Sequence, residues 1–229
     1  MKVIGLIGGT TWHSTIDYYR TINQMTNEKL GDSNSAKILL YSVNFEEFKP
    51  PADITKWGAI TDGLIKIAKN LENAGAACIL LCANTPHLFA DIVQEKINVP
   101  LIHIAEATAL KIKALHIDKV ALLGTKITME QNFFRDKLSL QQIETIIPTE
   151  AEREFINTSV FDELGKGIFD AKTKQKYLEI INRLIEQGAK GIILGCTEIP
   201  LLIQPEDVTV PVFDTTKIHS EAAVEFSLS

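Results

Sequence analysis

Six consecutive residues, Gly195-Cys196-Thr197-Glu198-Ile199-Pro200, set a nucleophilic sulfur, a hydroxyl and a carboxylate between a glycine and a proline. They follow an apolar run at 191–194 and precede a helix predicted to begin around Pro200, since proline suits the first helical turn. A thiol placed there sits beside backbone N–H groups that no helical bond has satisfied. A helix N-terminus lowers a thiol pKa from its free value of about 8.5, which makes a thiolate base or nucleophile accessible near neutral pH. The same N–H groups can hold a carboxylate. A buried structural cysteine fits the position equally, because free cysteine is among the most buried side chains.

A second polar run, Cys82-Ala83-Asn84-Thr85-Pro86-His87, ends the apolar stretch 77–82. Asn84 and Thr85 are small donors at a strand end, suited to a carboxylate or to capping the next turn. Side chains alternate along a strand, so Cys78 and Cys82 share a face and read as core. No third and fourth ligand is grouped with them, and no metal is expected. Two hydroxyl-rich turns, Gly8-Gly9-Thr10-Thr11-Trp12-His13-Ser14-Thr15 and Gly124-Thr125-Lys126-Ile127-Thr128-Met129, lead into helices. Each can take an anion or serve only as an N-cap. Neither has the glycine spacing of a nucleotide site. His13 and His87 fall in these loops, His103, His116 and His219 have no partner visible in the sequence, and none is assigned a catalytic role.

Apolar runs rich in Val, Ile and Leu at 2–7, 37–43, 77–82, 99–104, 119–123, 144–147, 191–194 and 210–213 read as buried strands. Amphipathic segments at 14–30, 57–74, 130–138 and 175–187 read as helices between them. Alternation of strand and helix implies a parallel sheet covered on both faces, with sites beyond the carboxyl ends of the strands.

The chain also repeats itself. Gly75-Ala76-Ala77-Cys78-Ile79-Leu80-Leu81-Cys82-Ala83-Asn84 lies over Gly188-Ala189-Lys190-Gly191-Ile192-Ile193-Leu194-Gly195-Cys196-Thr197 at an offset of 113 (188 − 75). Val99-Pro100-Leu101-Ile102-His103 resembles Val210-Pro211-Val212-Phe213-Asp214 at 111, and Ile4-Gly5-Leu6-Ile7-Gly8 resembles Val120-Ala121-Leu122-Leu123-Gly124 at 116. Ordered matches at nearly one offset predict a duplicated α/β unit. The halves are expected as 1–99 plus 210–229 and 100–209, with equivalent loops on opposite walls of one cleft. In this alignment Cys196 falls on Ala83.

Charge and composition remove several function classes. The net charge is −6, from 23 Lys and Arg against 29 Asp and Glu, and no basic run suggests nucleic acid. The opening residues turn polar before a signal-peptide core is complete, and no window nears the roughly 18 apolar residues of a membrane span. A cytoplasmic location follows as the expectation. Three cysteines cannot all pair, and a reducing compartment keeps them as thiols.

Taken together these residues resemble the aspartate/glutamate racemase superfamily, in its aspartate-racemase and broad-specificity amino-acid racemase branch. The motifs are Gly5-Leu6-Ile7-Gly8-Gly9 with Ser14-Thr15 and Tyr18-Tyr19-Arg20, Asn84-Thr85 with His87, Leu123-Gly124-Thr125 with Thr128-Met129-Glu130-Gln131, and Leu194-Gly195-Cys196-Thr197-Glu198-Ile199. The resemblance implies two pseudo-symmetric, Rossmann-like three-layer α/β domains with mostly parallel sheets, and an active site in the cleft between them. It further implies independence of pyridoxal phosphate and any other cofactor, a small amino acid as substrate, and a homodimer. A thiolate on one side of the α-carbon removes its proton while an acid on the other side returns one, because inversion needs donors and acceptors on both faces of a planar carbanion. By resemblance Cys196 is catalytic, and Gly9, Thr10, Asn84, Thr85, Thr125, Thr128 and Thr197 bind the α-carboxylate and ammonium. Lys166 stands near a substrate-contacting position of the family.

One departure matters most. The family's first cysteine, directly before Asn-Thr, is Ala83 here; some broad-specificity racemases carry threonine there, but alanine has no proton to give. Two smaller departures are His13, where close relatives often have glutamate, and Thr149, where the family often has an acidic residue. The expected activity is inversion of aspartate or glutamate, then of an uncharged amino acid such as homoserine. The alternatives are a single-cysteine decarboxylase or isomerase of a small dicarboxylic acid, similar to arylmalonate decarboxylase, and an amino-acid-binding protein that has lost catalysis.

Overall fold

The β-branched and leucine-rich runs become parallel strands in a computed structural model, which describes residues 1–48 and 57–229. The chain divides into two compact units, Met1–Ile104 with His219–Ser229, and Ala105–Ile218. In the first, β1 (Ile4–Gly8) lies between β2 (Ile38–Ser42) and β3 (Cys78–Leu81), all parallel. In the second, β4 (Lys119–Gly124), β5 (Glu144–Ile146), β6 (Ile192–Gly195) and β7 (Val212–Asp214) form a parallel sheet in the order β5-β4-β6-β7.

The repeat read from sequence reappears in the hydrogen-bond register. Gly5 stands opposite Ile79 in the first sheet and Ala121 opposite Ile192 in the second, and these are equivalent pairs. Ile79 pairs with Leu101 as Ile192 pairs with Val212. The match extends to the helix ends. Helices Gly58–Asn73 and Ala171–Glu186 stop at Gly75 and Gly188, with φ +98° and +94°. In both, the glycine N–H returns to the residue three back (Glu72, Ile185) and the next N–H to the residue five back (Leu71, Leu184). That is the Schellman closure, which a left-handed glycine makes at little cost.

Two expectations are corrected. The strand predicted at 99–104 is a single bridge at Leu101, held by Ile79 N–H to Pro100 O (2.9 Å) and Ile102 N–H to Ile79 O (3.0 Å). Pro100 brings no N–H to a ladder, and helix Ile104–Ala114 begins directly afterwards. The unit boundaries also move. Those bridge bonds keep residues to Ile104 in the first unit, while β7, expected with the first, hydrogen-bonds to β6 and keeps residues to Ile218 in the second.

Every residue of β1 and β3, and all of β4 except Lys119, is buried, as strands covered on both faces require. Helix Trp12–Leu30 lays Tyr18 and Ile22 against Ile4, Leu6, Cys78, Leu80 and Cys82. Helix Ala171–Glu186 lays Tyr177, Ile180, Ile181 and Leu184 against Ala121, Leu123, Ile192 and Leu194. Each such side chain contributes on the order of 1.5–3 kcal/mol by leaving water. Two rigid frames result, each presenting its strand ends.

Candidate active site

In the second unit the ends of β4 and β6 approach so closely that only glycine fits. A Cβ on Gly124 would lie 2.8 Å from Gly195 O, and one on Gly195 would lie 2.9 Å from Leu123 O. This contact sets the Thr125 turn beside the Cys196 loop. Thr125 is the N-cap of helix Lys126–Glu130, its Oγ1 accepting from Thr128 N–H, and the two hydroxyls are 3.1 Å apart. Thr128 is fully buried.

Cys196 follows β6 and is 8 % exposed. Its Sγ–H donates to Glu198 Oε2 at 2.8 Å, and Thr197 Oγ1–H donates to the same oxygen at 2.8 Å. Glu198 is also buried. The expected lowering of the thiol pKa is reversed. Burial pushes it well above its usual value, and the charge and hydrogen bond of Glu198 push it further, outweighing the N–H groups of Glu198 and Thr197. The helix invoked for the lowering, Ile199–Leu202, is one turn long. The resting sulfur is therefore a thiol.

Tyr177 lies beneath this loop. Its hydroxyl is 2.9 Å from Ser159 Oγ, and burial raises its pKa against the lowering effect of that hydrogen bond. Glu163 accepts from Thr173 Oγ1 at 2.6 Å and opens the turn Leu164–Lys166. Lys166 itself is 61 % exposed, with its ammonium 3.5 Å from Asp162.

In the first unit the loops after β1 and β3 are tied together by Ser14 Oγ–H to Cys82 O (2.6 Å). Gly9 has φ +89°, and a Cβ there would collide with the backbone of Val43. Its N–H donates to Thr15 Oγ1 (2.8 Å), so that donor is engaged within the protein. The hydroxyl oxygens of Thr10 and Thr11 are buried and have no hydrogen-bond partner among the described residues. Such atoms are costly unless something pairs them. After β3, Ala83 is half-buried, Asn84 is buried, and Thr85 opens the 3-10 helix Thr85–Phe89.

The sequence gives no warning of a buried histidine cluster here. His87, His103 and His219 come from three separate segments, with the rings of His103 and His219 centred 4.9 and 5.2 Å from that of His87. His87 Nδ1–H donates to Ala83 O at 2.8 Å. His219 Nε2–H donates to Ile102 O (2.7 Å), and its Nδ1 accepts from Tyr18 OH (2.8 Å). Burial drives His219 down to about 3 and His87 well below the usual range. Both stay neutral: His87 anchors the Ala83 turn, and His219 ties Tyr18 to Ile102. His13 is exposed and stacked on Trp12. Cys78 and Cys82 are core, as their spacing implies, and burial pushes Cys78 up to about 12 and Cys82 higher.

Among the described residues no group of three or more His, Cys, Asp or Glu side chains is arranged to hold a metal ion. None of their helices is long and apolar enough to cross a membrane. The residue that sequence reasoning passed over is Glu198. Its presence two positions after the cysteine was visible, but its burial and its grip on the sulfur were not.

Residues 7–223 match the family described as Asp/Glu/Hydantoin racemase. The broad specificity amino-acid racemase RacX of Bacillus subtilis (strain 168) is 24% identical over 232 residues, covering 99% of both chains. A Yersinia pestis protein assigned to the Asp/Glu racemases has a crystal structure similar at TM-score 0.95 and 46% identity, covering 100% of each chain. An aspartate racemase homologue from Pyrococcus horikoshii OT3 gives TM-score 0.88 and 40% identity, also over 100% of each. The chain belongs to the Asp/Glu/Hydantoin racemase family, a family of isomerases.

Proposed function

Because the chain belongs to that family, we propose that it inverts the α-carbon of a small amino acid without pyridoxal phosphate, aspartate or glutamate first and an uncharged amino acid such as homoserine next. The observation that carries the proposal is the sulfur of Cys196 at the carboxyl end of β6, with a carboxylate in hydrogen-bond contact. In the proposed reaction the thiolate of Cys196 takes the α-proton, the electron pair spreads onto the substrate carboxylate, and a proton returns on the opposite face. Thr10, Asn84, Thr85, Thr125, Thr128 and Thr197 supply hydrogen bonds to the α-carboxylate and ammonium, and Lys166 is available for a side-chain carboxylate. Gly9 contributes by shape, since its N–H is engaged by Thr15. Ala83 has no proton to give, so the opposite face is served by water or by a group other than a second thiol.

One observation favours a second reading. A thiol held protonated is an acid on one face, which is what a single-cysteine decarboxylase of a small dicarboxylic acid needs. Chiral chromatography of each proteinogenic amino acid after incubation, run beside carbon dioxide release from aryl- and alkylmalonates, separates the two. Loss of enantiomeric purity in aspartate, glutamate or homoserine supports racemisation. Carbon dioxide release with every amino acid unchanged overturns it, and calorimetric binding without turnover marks a binding protein. Family resemblance also leads us to propose a homodimer, which sedimentation velocity tests.

A further inference from the structure

Helix Trp12–Leu30 carries two apolar faces. Tyr18 and Ile22 turn inward onto the first sheet, while Trp12, Ile16, Tyr19 and Leu30 stand 43 to 60% exposed. At 3.6 residues per turn the four outward side chains fall within an arc of about 60°, roughly a third of a turn from the buried face, and form a stripe about 27 Å long. Asn23 is the one polar residue within that arc, and its amide is already engaged: Nδ2–H donates to Tyr19 O at 2.8 Å and Oδ1 accepts from Ala36 N–H at 3.0 Å. Covering the stripe therefore leaves no Asn23 group unsatisfied. Arg20, Gln24 and Asn27, all exposed, border it.

We propose that this stripe is the contact between two copies of the chain, their helices running antiparallel about a two-fold axis near Thr21. The inference rests on the homodimer proposed above and names its surface; it does not depend on the racemase chemistry. An isologous contact must be complementary to itself, and the order of the stripe is. Trp12 and Leu30 lie nine residues to either side of Thr21, and Tyr19 and Asn23 lie two to either side. The axis thus sets Trp12 of one copy against Leu30 of the other and Tyr19 against Asn23. The charges agree with this. At a net charge of −6 two copies repel one another, but the stripe has no charged residue, and Arg20 on its border is paired with Asp17 at 3.0 Å. The first turn of the helix holds no acidic side chain to offset its positive end, and an antiparallel neighbour supplies the negative end of its own dipole there. A membrane surface is the poorer partner, because helices that lie on lipid carry a strongly basic polar face. The area is sufficient once the border is counted. With aromatic side chains contributing about 150–250 Å² each when fully buried, the four exposed groups offer on the order of 400 Å² per copy, half of the roughly 800 Å² per partner of a stable interface. The polar border forms the remainder, as interface rims do.

Two measurements on the whole protein test this. In sedimentation velocity at micromolar concentration the wild type is expected to run as a dimer. Tyr19→Glu sets like charges near the axis and is expected to raise the dissociation constant at least about 100-fold. Leu140→Glu, at an exposed apolar position of the second unit, is the control and is expected to leave it unchanged. The second measurement fixes the direction of the helices. The three native thiols are buried, so a short bis-maleimide is expected to join copies when Trp12→Cys and Leu30→Cys proteins are mixed. Neither variant alone is expected to be joined, since equal positions then lie about 27 Å apart across the axis. A wild type that sediments as a monomer overturns both the homodimer and its surface, and a monomer that floats with phosphatidylglycerol vesicles gives the stripe to a membrane instead. A dimer that survives Tyr19→Glu, or joining of Trp12→Cys to itself, leaves the homodimer standing and overturns this interface.

Discussion

The chemistry of Cys196 is decided by two neighbours and by depth. Burial and the Glu198 carboxylate hold the sulfur as a thiol, so proton abstraction should accelerate as pH rises from 6 towards 9. A pH–rate profile flat across that range would contradict a thiol that must lose its proton. The same direction has a consequence for stability. All three thiols have folded pKa values raised above their unfolded ones: Cys78 to about 12, Cys82 and Cys196 upwards. Their contribution is complete below about pH 9 and is lost as pH rises through the folded values, each thiol giving up about 1.4 kcal/mol for every tenfold difference in proton affinity between the folded and unfolded chain. Thermal melts from pH 8 to 11 should therefore decline, and Cys78→Ser should blunt the decline while lowering stability at pH 8. The motif Gly195-Cys196-Thr197-Glu198 made the thiol legible in sequence because its members are adjacent. The direction of its pKa was not legible, since it depends on which way Glu198 turns and on how much of β6's surroundings covers the sulfur.

Single elements explain both the successes and the failures of the sequence reading. Val, Ile and Leu runs located the strands, buried as expected in β1, β3 and β4 but half-buried to exposed in β2 and β5, and Pro100 turned one run into a bridge. The histidine cluster was invisible for a different reason: His87, His103 and His219 meet only after three segments pack, and no spacing announces it. Around His87 and His219 stand His103, the Tyr18 hydroxyl and the carbonyls of Ala83 and Ile102. With folded pKa values below the unfolded 6.5, these histidines stabilise the first unit above that pH. Stability should fall as pH drops from 6.5 towards 3, where His219 accepts its proton. His219→Asn should flatten the loss of melting temperature between pH 6.5 and 4, at the expense of the Tyr18 bond at pH 8. An unchanged acid profile would show that the cluster does not govern it. The glycine stops provide a graded control. Gly75→Ala meets no atom within 4 Å and should cost about 1–2 kcal/mol for its left-handed backbone alone. Gly124→Ala strikes the end of β6 and should cost about 1–3 kcal/mol and also displace the Cys196 loop. Equal effects of the two on activity would argue against the β4–β6 contact as what places that loop.

Across the whole molecule the duplication is the most informative feature of the sequence. Three ordered matches near one offset gave the repeat, and the two sheets reproduce it in strand order, in register and in helix closure. Only the boundaries shifted, because β7 answers to β6 rather than to the chain's return at His219. Duplication also explains what has diverged. Equivalent strand ends now hold Cys196 in one unit and Ala83 in the other, so the proposed two-faced reaction has one thiol. Placing a second sulfur at that site is thus the direct question to put to the molecule. Proton NMR of aspartate, glutamate and homoserine in heavy water, with the wild type, Cys196→Ser and Ala83→Cys, asks it. Slow loss of the α-proton signal with the wild type is expected, slowed about 10³-fold or more by Cys196→Ser and hastened by Ala83→Cys. An α-proton that exchanges as fast in Cys196→Ser as in the wild type would contradict proton transfer at that sulfur.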